Sequence, residues 1–234
     1  MTGPSRRDEL AVRLTAVRQR IVAACQAAGR DPASVTLIAV TKTFPASDVR
    51  LLSELGVGDV GENRDAEAAP KAAQCADLDL TWHFIGQLQT NKAASVVRYA
   101  SFVHSVDRVR LIRALGTAAR RAERVVQCLV EVSVDGDPAR GGAVASEVVA
   151  LAEALAAEPG LVLAGVMAIA PLGMAPAGAF AALLESAAVV RAVRPAATVI
   201  SAGMSGDLED AVAAGATHLR IGTALLGDRG PGVR

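Results

Sequence analysis

Short apolar runs rich in β-branched residues are each followed by a longer stretch with helical spacing, and this alternation occurs eight times along the chain. The runs are VTLIAV at 35–40, VGDVG near 57–61, LTWHFIG near 80–86, SFVHSV at 101–106, VVQCLVEVSV at 125–134, LVLAGVMAIA at 161–170, ATVISA at 197–202 and THLRIG at 217–222. Helical patterns lie near 46–55, 64–75, 89–98, 107–122, 144–158, 176–193 and 207–214. Continuous apolar runs of this kind are the mark of strands buried on both faces. Strand followed by helix, repeated, implies a parallel sheet. Eight repeats without a long linker predict a single closed (β/α)8 barrel of the TIM type, over about 35–227 of a one-domain chain, 1–234. A helix over 5–28 precedes it, opened by a capping-box pattern at Ser5 and Asp8. An open doubly wound sheet would carry a glycine-rich turn after its first strand. Here that strand runs into Thr41-Lys42-Thr43.

Composition agrees with a barrel that has little decoration, since about 200 residues is the lower end for the fold and this chain has 234. Hydrophobic residues make up 52% but aromatics only 3%, so Ala, Val and Leu must fill the core. Basic and acidic residues balance at 24 each, which leaves no electrostatic footprint for nucleic acid or an anionic membrane. The charged N-terminus argues against a signal peptide, and no uncharged apolar run reaches the ~20 residues of a membrane span. Cys25, Cys75 and Cys128 are odd in number and lack metal-type spacing, as expected of thiols in a reducing compartment. A cytoplasmic location is the expectation.

Barrel enzymes carry their sites at the carboxyl ends of the strands, and there Lys42 stands out. The chain has only three lysines (Lys42, Lys71 and Lys92) among its 24 basic residues. A lysine kept at a strand end, where arginine serves everywhere else, points to the need for an amine, because guanidinium cannot form a Schiff base. Lys71, in a polar helical stretch, reads as a surface residue. After the seventh strand come Ser201-Ala202-Gly203-Met204-Ser205-Gly206-Asp207, and after the eighth Arg220-Ile221-Gly222-Thr223-Ala224. Glycine- and hydroxyl-bearing loops in those two places form the usual phosphate site of this fold. In a closed barrel they neighbour the first strand. An amine beside a phosphate cradle asks for a phosphorylated carbonyl compound, and pyridoxal 5′-phosphate (PLP) fits. Arg220 could then face the pyridine nitrogen, where a fixed positive charge keeps that nitrogen unprotonated. His83, His104 and His218 fall on strands without ligand spacing, so hydrogen-bonded core or rim histidines are expected rather than a metal site. Glu62, Glu67, Asp107 and Glu131 are too scattered for spacing to define an acid/base pair.

These residues also carry a resemblance. Ala39-Val40-Thr41-Lys42, Gly61-Glu62-Asn63-Arg64, Trp82-His83-Phe84-Ile85-Gly86 running into Leu88-Gln89-Thr90-Asn91-Lys92, Val103-His104-Ser105-Val106-Asp107, Gly165-Val166-Met167-Ala168-Ile169, Gly203-Met204-Ser205-Gly206-Asp207 and Leu219-Arg220-Ile221-Gly222 resemble the pyridoxal phosphate homeostasis proteins, the YggS/PROSC family. The resemblance implies a monomeric barrel similar to the N-terminal domain of alanine racemase, with PLP on Lys42. It also implies phosphate contacts from Ser201, Gly203, Met204, Ser205, Gly222 and Thr223, Arg220 at the ring nitrogen, and Asn63 lining the pocket. The role implied is to hold PLP and supply it, with PLP-dependent apo-enzymes as recipients. The chain departs from its relatives at Asp65-Ala66-Glu67, at Glu131-Val132-Ser133-Val134-Asp135 and at Arg140-Gly141-Gly142.

Two rival readings remain. An amino-acid racemase or decarboxylase on the same barrel needs a second acid/base group over the far face of the ring. Related enzymes complete that face with a C-terminal β-domain, whereas this sequence stops at Arg234 and its one tyrosine, Tyr99, has no evident claim to the role. A barrel enzyme holding a sugar phosphate on Lys42 would explain the lysine and the cradle but not the shared motifs.

Overall fold

The computed structural model describes residues 4–137, 141–171 and 173–228; Arg140, Arg234 and the first three residues lie outside these. The chain begins with the capping box expected at Ser5. The Ser5 hydroxyl accepts from the Asp8 N–H, and the Asp8 carboxylate accepts from the Ser5 N–H. That start aligns helix α1 (Arg6–Ala27) so that Leu10, Leu14, Val17, Ile21 and Ala24 fall on one buried stripe, the three-and-four spacing of an amphipathic helix. Burying each large side chain of this kind contributes roughly 1.5–3 kcal/mol.

After α1 come β1 (Thr36–Val40), α2 (Ala46–Glu54), β2 (Asp59–Glu62), α3 (Asp65–Gln74), β3 (Thr81–Phe84), α4 (Ala93–Tyr99), β4 (Phe102–Val106) and α5 (Val109–Arg121). The second half follows as β5 (Val126–Glu131), α6 (Val148–Ala157), β6 (Leu161–Met167), α7 (Pro176–Val193), β7 (Val199–Ser201), α8 (Leu208–Ala213), β8 (His218–Ile221) and α9 (Thr223–Leu226). All pairings are parallel, and β8 closes on β1 through Thr36 opposite His218 and Ile38 opposite Arg220. The (β/α)8 barrel read from the alternation is the fold.

Several strands are shorter than their apolar runs. The run at 125–134 ladders only to Glu131, and Val132 then makes an isolated bridge to Ala143. The run at 161–170 ends as strand at Met167, which pairs with Ser201, the last residue of the three-residue β7. A parallel strand extends only as far as a neighbour's backbone accompanies it. The segment at 89–98 opens with a 3₁₀ turn, Thr90–Lys92, before α4.

Side chains alternate across each strand. Leu37, Ala39, Phe84, Val103, Val130, Val166, Leu219 and Ile221 face the helices and join the main apolar cluster. The alternate positions point into the barrel, and many of them are polar: Asp59, His83, His104, Ser201, His218 and Arg220. The bond between His104 on β4 and Ser201 on β7, strands that are not sheet neighbours, runs through the barrel interior. Helix α7 has the length and apolarity of a membrane span by composition, but Phe180, Leu183, Ala187 and Val190 are packed in the core.

Candidate functional site

At the carboxyl ends of the strands lies a cavity of about 450 Å³, lined by residues from around the barrel, among them Lys42, Asn63, Glu131, Ser205, Arg220 and Gly222. Its size is within the ~300–1,000 Å³ usual for small-molecule sites. Seven of the nine residues expected at a PLP site share this cavity: Lys42, Asn63, Met204, Ser205, Arg220, Gly222 and Thr223.

Lys42 emerges from β1 beside an unusual piece of backbone. Thr43 has φ +70°, a left-handed conformation that a β-branched residue adopts only under constraint, at a cost of about 1–3 kcal/mol. The constraint comes from carboxylates on the next strand and helix. The Thr43 N–H donates to Glu67 Oε2 at 3.1 Å. The Thr41 hydroxyl donates to Glu62 Oε1 at 2.6 Å, and Lys71 Nζ donates to the same oxygen at 2.5 Å and to the Thr41 carbonyl at 2.8 Å. Burial pushes the Glu62 carboxyl above its ordinary range, while the bonds from Lys71 and Thr41 oppose that push. Lys71 is therefore not the surface residue expected. It is 6% exposed and forms a buried ion pair directly behind the strand end that presents Lys42.

The loops after β7 and β8 meet where Ser205 Oγ accepts from the Ala224 N–H at 3.1 Å, and the Met204 N–H donates to Asp207 Oδ1 at 2.6 Å. An added Cβ at Gly206 would enter open space, with nothing within 4 Å, whereas one at Gly222 would touch Val40 at an ordinary contact distance of 3.6 Å. The other two expected phosphate contacts, Ser201 and Gly203, are not among the residues that line this cavity. The Ser201 hydroxyl is fully buried, accepting from Arg220 Nη1 at 2.7 Å and lying 3.0 Å from His104 Nδ1. Gly203 turns the loop at φ +87°, and a Cβ there would meet that of Ala211 at 2.5 Å, so only glycine fits.

Arg220 is 4% exposed yet reaches the pocket, held by Ser201 and by the Ala168 carbonyl at 2.8 Å. Burial lowers its pKa to about 10, against the raising effect of Asp207 and Glu131, so it stays charged at neutral pH. The opposite wall holds what spacing could not reveal. Glu131, one of the scattered carboxylates, lines the cavity with Gln87 and Ile169. Its Oε2 is buried without a hydrogen-bond partner. Burial first, then the nearby Asp107 charge, push its pKa up to about 7, with Arg220 and Arg108 pulling it back. The apolar run at 125–134 continues three residues past Glu131, so a search of predicted strand ends passes over it; only the observed end of β5 places it at the rim. Gly141 also lines the pocket, so the segment that departs from the family pattern forms part of the site. Asn63 is fixed by close packing: a Cβ on Gly86 would fall 2.2 Å from the Asn63 carbonyl oxygen.

An amine, a charged guanidinium, unfilled glycine-lined space between two hydroxyl-bearing loops and an orphaned carboxyl oxygen together suit a phosphorylated aldehyde. Residues 12–230 match the family profile of the alanine racemase N-terminal domain. The pyridoxal phosphate homeostasis protein of Mycobacterium tuberculosis is 43% identical over 247 residues, covering 97% of this chain and 95% of that protein. Its counterpart in Escherichia coli is 34% identical over 232 residues, with 95% and 97% covered. PipY of Synechococcus elongatus is 36% identical and covers 93% of this chain and 100% of its own, with a TM-score of 0.83 without PLP and 0.82 with PLP bound. Alanine racemase of Corynebacterium glutamicum, 17% identical with a TM-score of 0.66 over 91% of this chain and 60% of the enzyme, shares the fold. By sequence and by barrel alike, this chain belongs to the pyridoxal phosphate homeostasis protein family.

Proposed function

We propose that this protein holds PLP on Lys42 and passes it on, as a cytoplasmic monomer that keeps the free aldehyde scarce. The observation that carries this reading is the meeting of Lys42, Arg220 and the loops after β7 and β8 in one cavity. When bound, the cofactor supplies an aldehyde with which a primary amine condenses, losing water. The Lys42 amine fills that role. Among the residues that line the cavity, Ser205, Gly206, Gly222 and Thr223 would hold the phosphate, Arg220 would offer fixed positive charge to the ring nitrogen, and Asn63 would close the side next to Lys42. The PipY structures fit a holder, since the barrel matches almost equally well with PLP and without it. Loading a reversible carrier should not remake its fold.

One observation favours an enzymatic reading. Glu131, with a pKa near 7, shares the pocket with Lys42, and a carboxyl so tuned suits proton transfer. One experiment separates the two readings. Protein loaded with PLP should yield it to a PLP-dependent apo-enzyme, while showing no racemisation or decarboxylation of common amino acids beyond that of free PLP. Turnover of order 1 per second that is lost in both Lys42→Ala and Glu131→Gln would replace the carrier reading with an enzyme.

A further inference from the structure

Five polar side chains form an unbroken line through the barrel, from the end opposite the pocket to the pocket itself. Asp59, at the amino end of β2, borders a separate cavity and has a side chain 30% exposed. His83 Nε2 lies 2.9 Å from Asp59 Oδ1, His83 Nδ1 lies 2.9 Å from His104 Nε2, and His104 Nδ1 lies 3.0 Å from Ser201 Oγ. Arg220 Nη1 ends the line on Ser201 Oγ at 2.7 Å. All but Asp59 are buried.

The two ends set the direction of every bond between them. A guanidinium only donates, and a carboxylate only accepts. With both imidazoles neutral, His83 must carry its hydrogen on Nε2 to serve Asp59, which leaves Nδ1 to accept from His104 Nε2–H. His104 Nδ1 must then accept the Ser201 O–H, and the Ser201 oxygen takes the hydrogen of Arg220. No other placement puts one hydrogen in each of the four contacts. Burial and the neighbouring His83, Arg220 and His218 hold the His104 pKa well below the ordinary imidazole value. A doubly protonated His83 would reverse the pattern and move the His104 hydrogen to Nδ1.

We propose that Asp59 is a positioning residue for Arg220, acting from the far end of the barrel by imposing one direction on the hydrogen bonds through His83, His104 and Ser201. Its effect on cofactor rests on the reading of the pocket as a PLP site. With the chain so directed, the Ser201 hydroxyl hydrogen is committed to His104 Nδ1, which fixes the hydroxyl rotor and the lone pair that Arg220 meets. Together with the Ala168 carbonyl it anchors two guanidinium nitrogens and aims the group at the pocket. Without an acceptor at Asp59, His83 is free to take the other tautomer, His104 follows, and the Ser201 hydroxyl hydrogen is released from the chain.

Two measurements test this. In cofactor-free protein labelled with ¹⁵N-histidine, NMR should show His83 and His104 both as neutral Nε2–H tautomers at neutral pH, and a His104 hydrogen on Nδ1 would overturn the proposal. In loaded protein, Asp59→Leu should weaken PLP binding about tenfold and shift the absorbance of the bound cofactor. Asp59→Asn, which keeps an acceptor, should restore both, and in a Ser201→Ala background Asp59→Leu should have no further effect. An undiminished tenfold effect in that background would show that Asp59 acts on the fold and not through the chain. If the parent protein took up no PLP at all, the cofactor reading would fail, and the tautomers of the cofactor-free protein would still decide the chain.

Discussion

The wall formed by the ends of β1, β7 and β8 and the wall formed by the ends of β3, β5 and β6 face the same cavity with different chemistry. The first offers Lys42, Ser205, Gly206, Arg220, Gly222 and Thr223, a set of donors and glycines. The second offers Ile85, Gly86, Gln87, Glu131 and Ile169, a mostly apolar surface around one carboxyl of raised pKa. The first wall is built from turn chemistry local to each strand end and suits the fixed parts of a phosphorylated cofactor. The second acquires its character only from barrel closure, which brings β5 opposite β1 and strips water from Glu131. Retention of the cofactor should therefore depend on the first wall, and response to pH on the second.

The sharpest way to break this comparison is Lys42→Ala, which should abolish covalent attachment. Borohydride reduction of the loaded parent followed by peptide mapping should place the pyridoxyl group on Lys42. A label chiefly on Lys71 or Lys92 would refute the assignment, and burial of Lys71 against Glu62 gives a reason to expect none there.

Support behind the first wall comes next in size. Lys71→Met leaves Glu62 buried without its partner, a change worth about 3–5 kcal/mol of stability, measurable by chemical denaturation at pH 7. If stability were unchanged, the ion pair would not be what fixes Thr41 behind Lys42.

The second wall predicts a pH dependence of opposite origin. A carboxyl that titrates near 7 when folded and near 4.5 otherwise binds more protons folded than unfolded between those values, so stability falls as pH rises through that window. The interval corresponds to about 3 kcal/mol at full effect. Glu131→Gln should thus be more stable than the parent at pH 8 and equal to it near pH 4. A constant difference across that range would show that Glu131 titrates normally.

The smallest effect belongs to a single hydroxyl of the first wall. Thr223→Val should weaken PLP retention by about 1.5–3 kcal/mol, the worth of one hydrogen bond to a charged group, as read by equilibrium dialysis. No loss at all would remove Thr223 from the phosphate's surroundings and leave backbone and Ser205 to hold it.

Much of this was written in local sequence. The eightfold alternation dictated parallel strands and closure, because each apolar run can be buried only between helices and neighbouring strands, and the Ser5 capping box set where α1 begins. Lys42 stood out because arginine supplies nearly every other cation, and the glycine-hydroxyl loops were legible because turn chemistry is local. Tertiary structure alone decided the rest. Lys71 looked solvated within a polar helix, but α3 packs it beneath β1 against Glu62. Ser201 sits in a glycine-hydroxyl loop by sequence, and only the strand pleat shows that its hydroxyl meets His104 and Arg220. Glu131 and the chain from Asp59 to Arg220 join residues 19 to 97 positions apart. Spacing along one strand or helix carries no trace of such contacts, because which inward side chains meet is fixed only when eight strands close on one another.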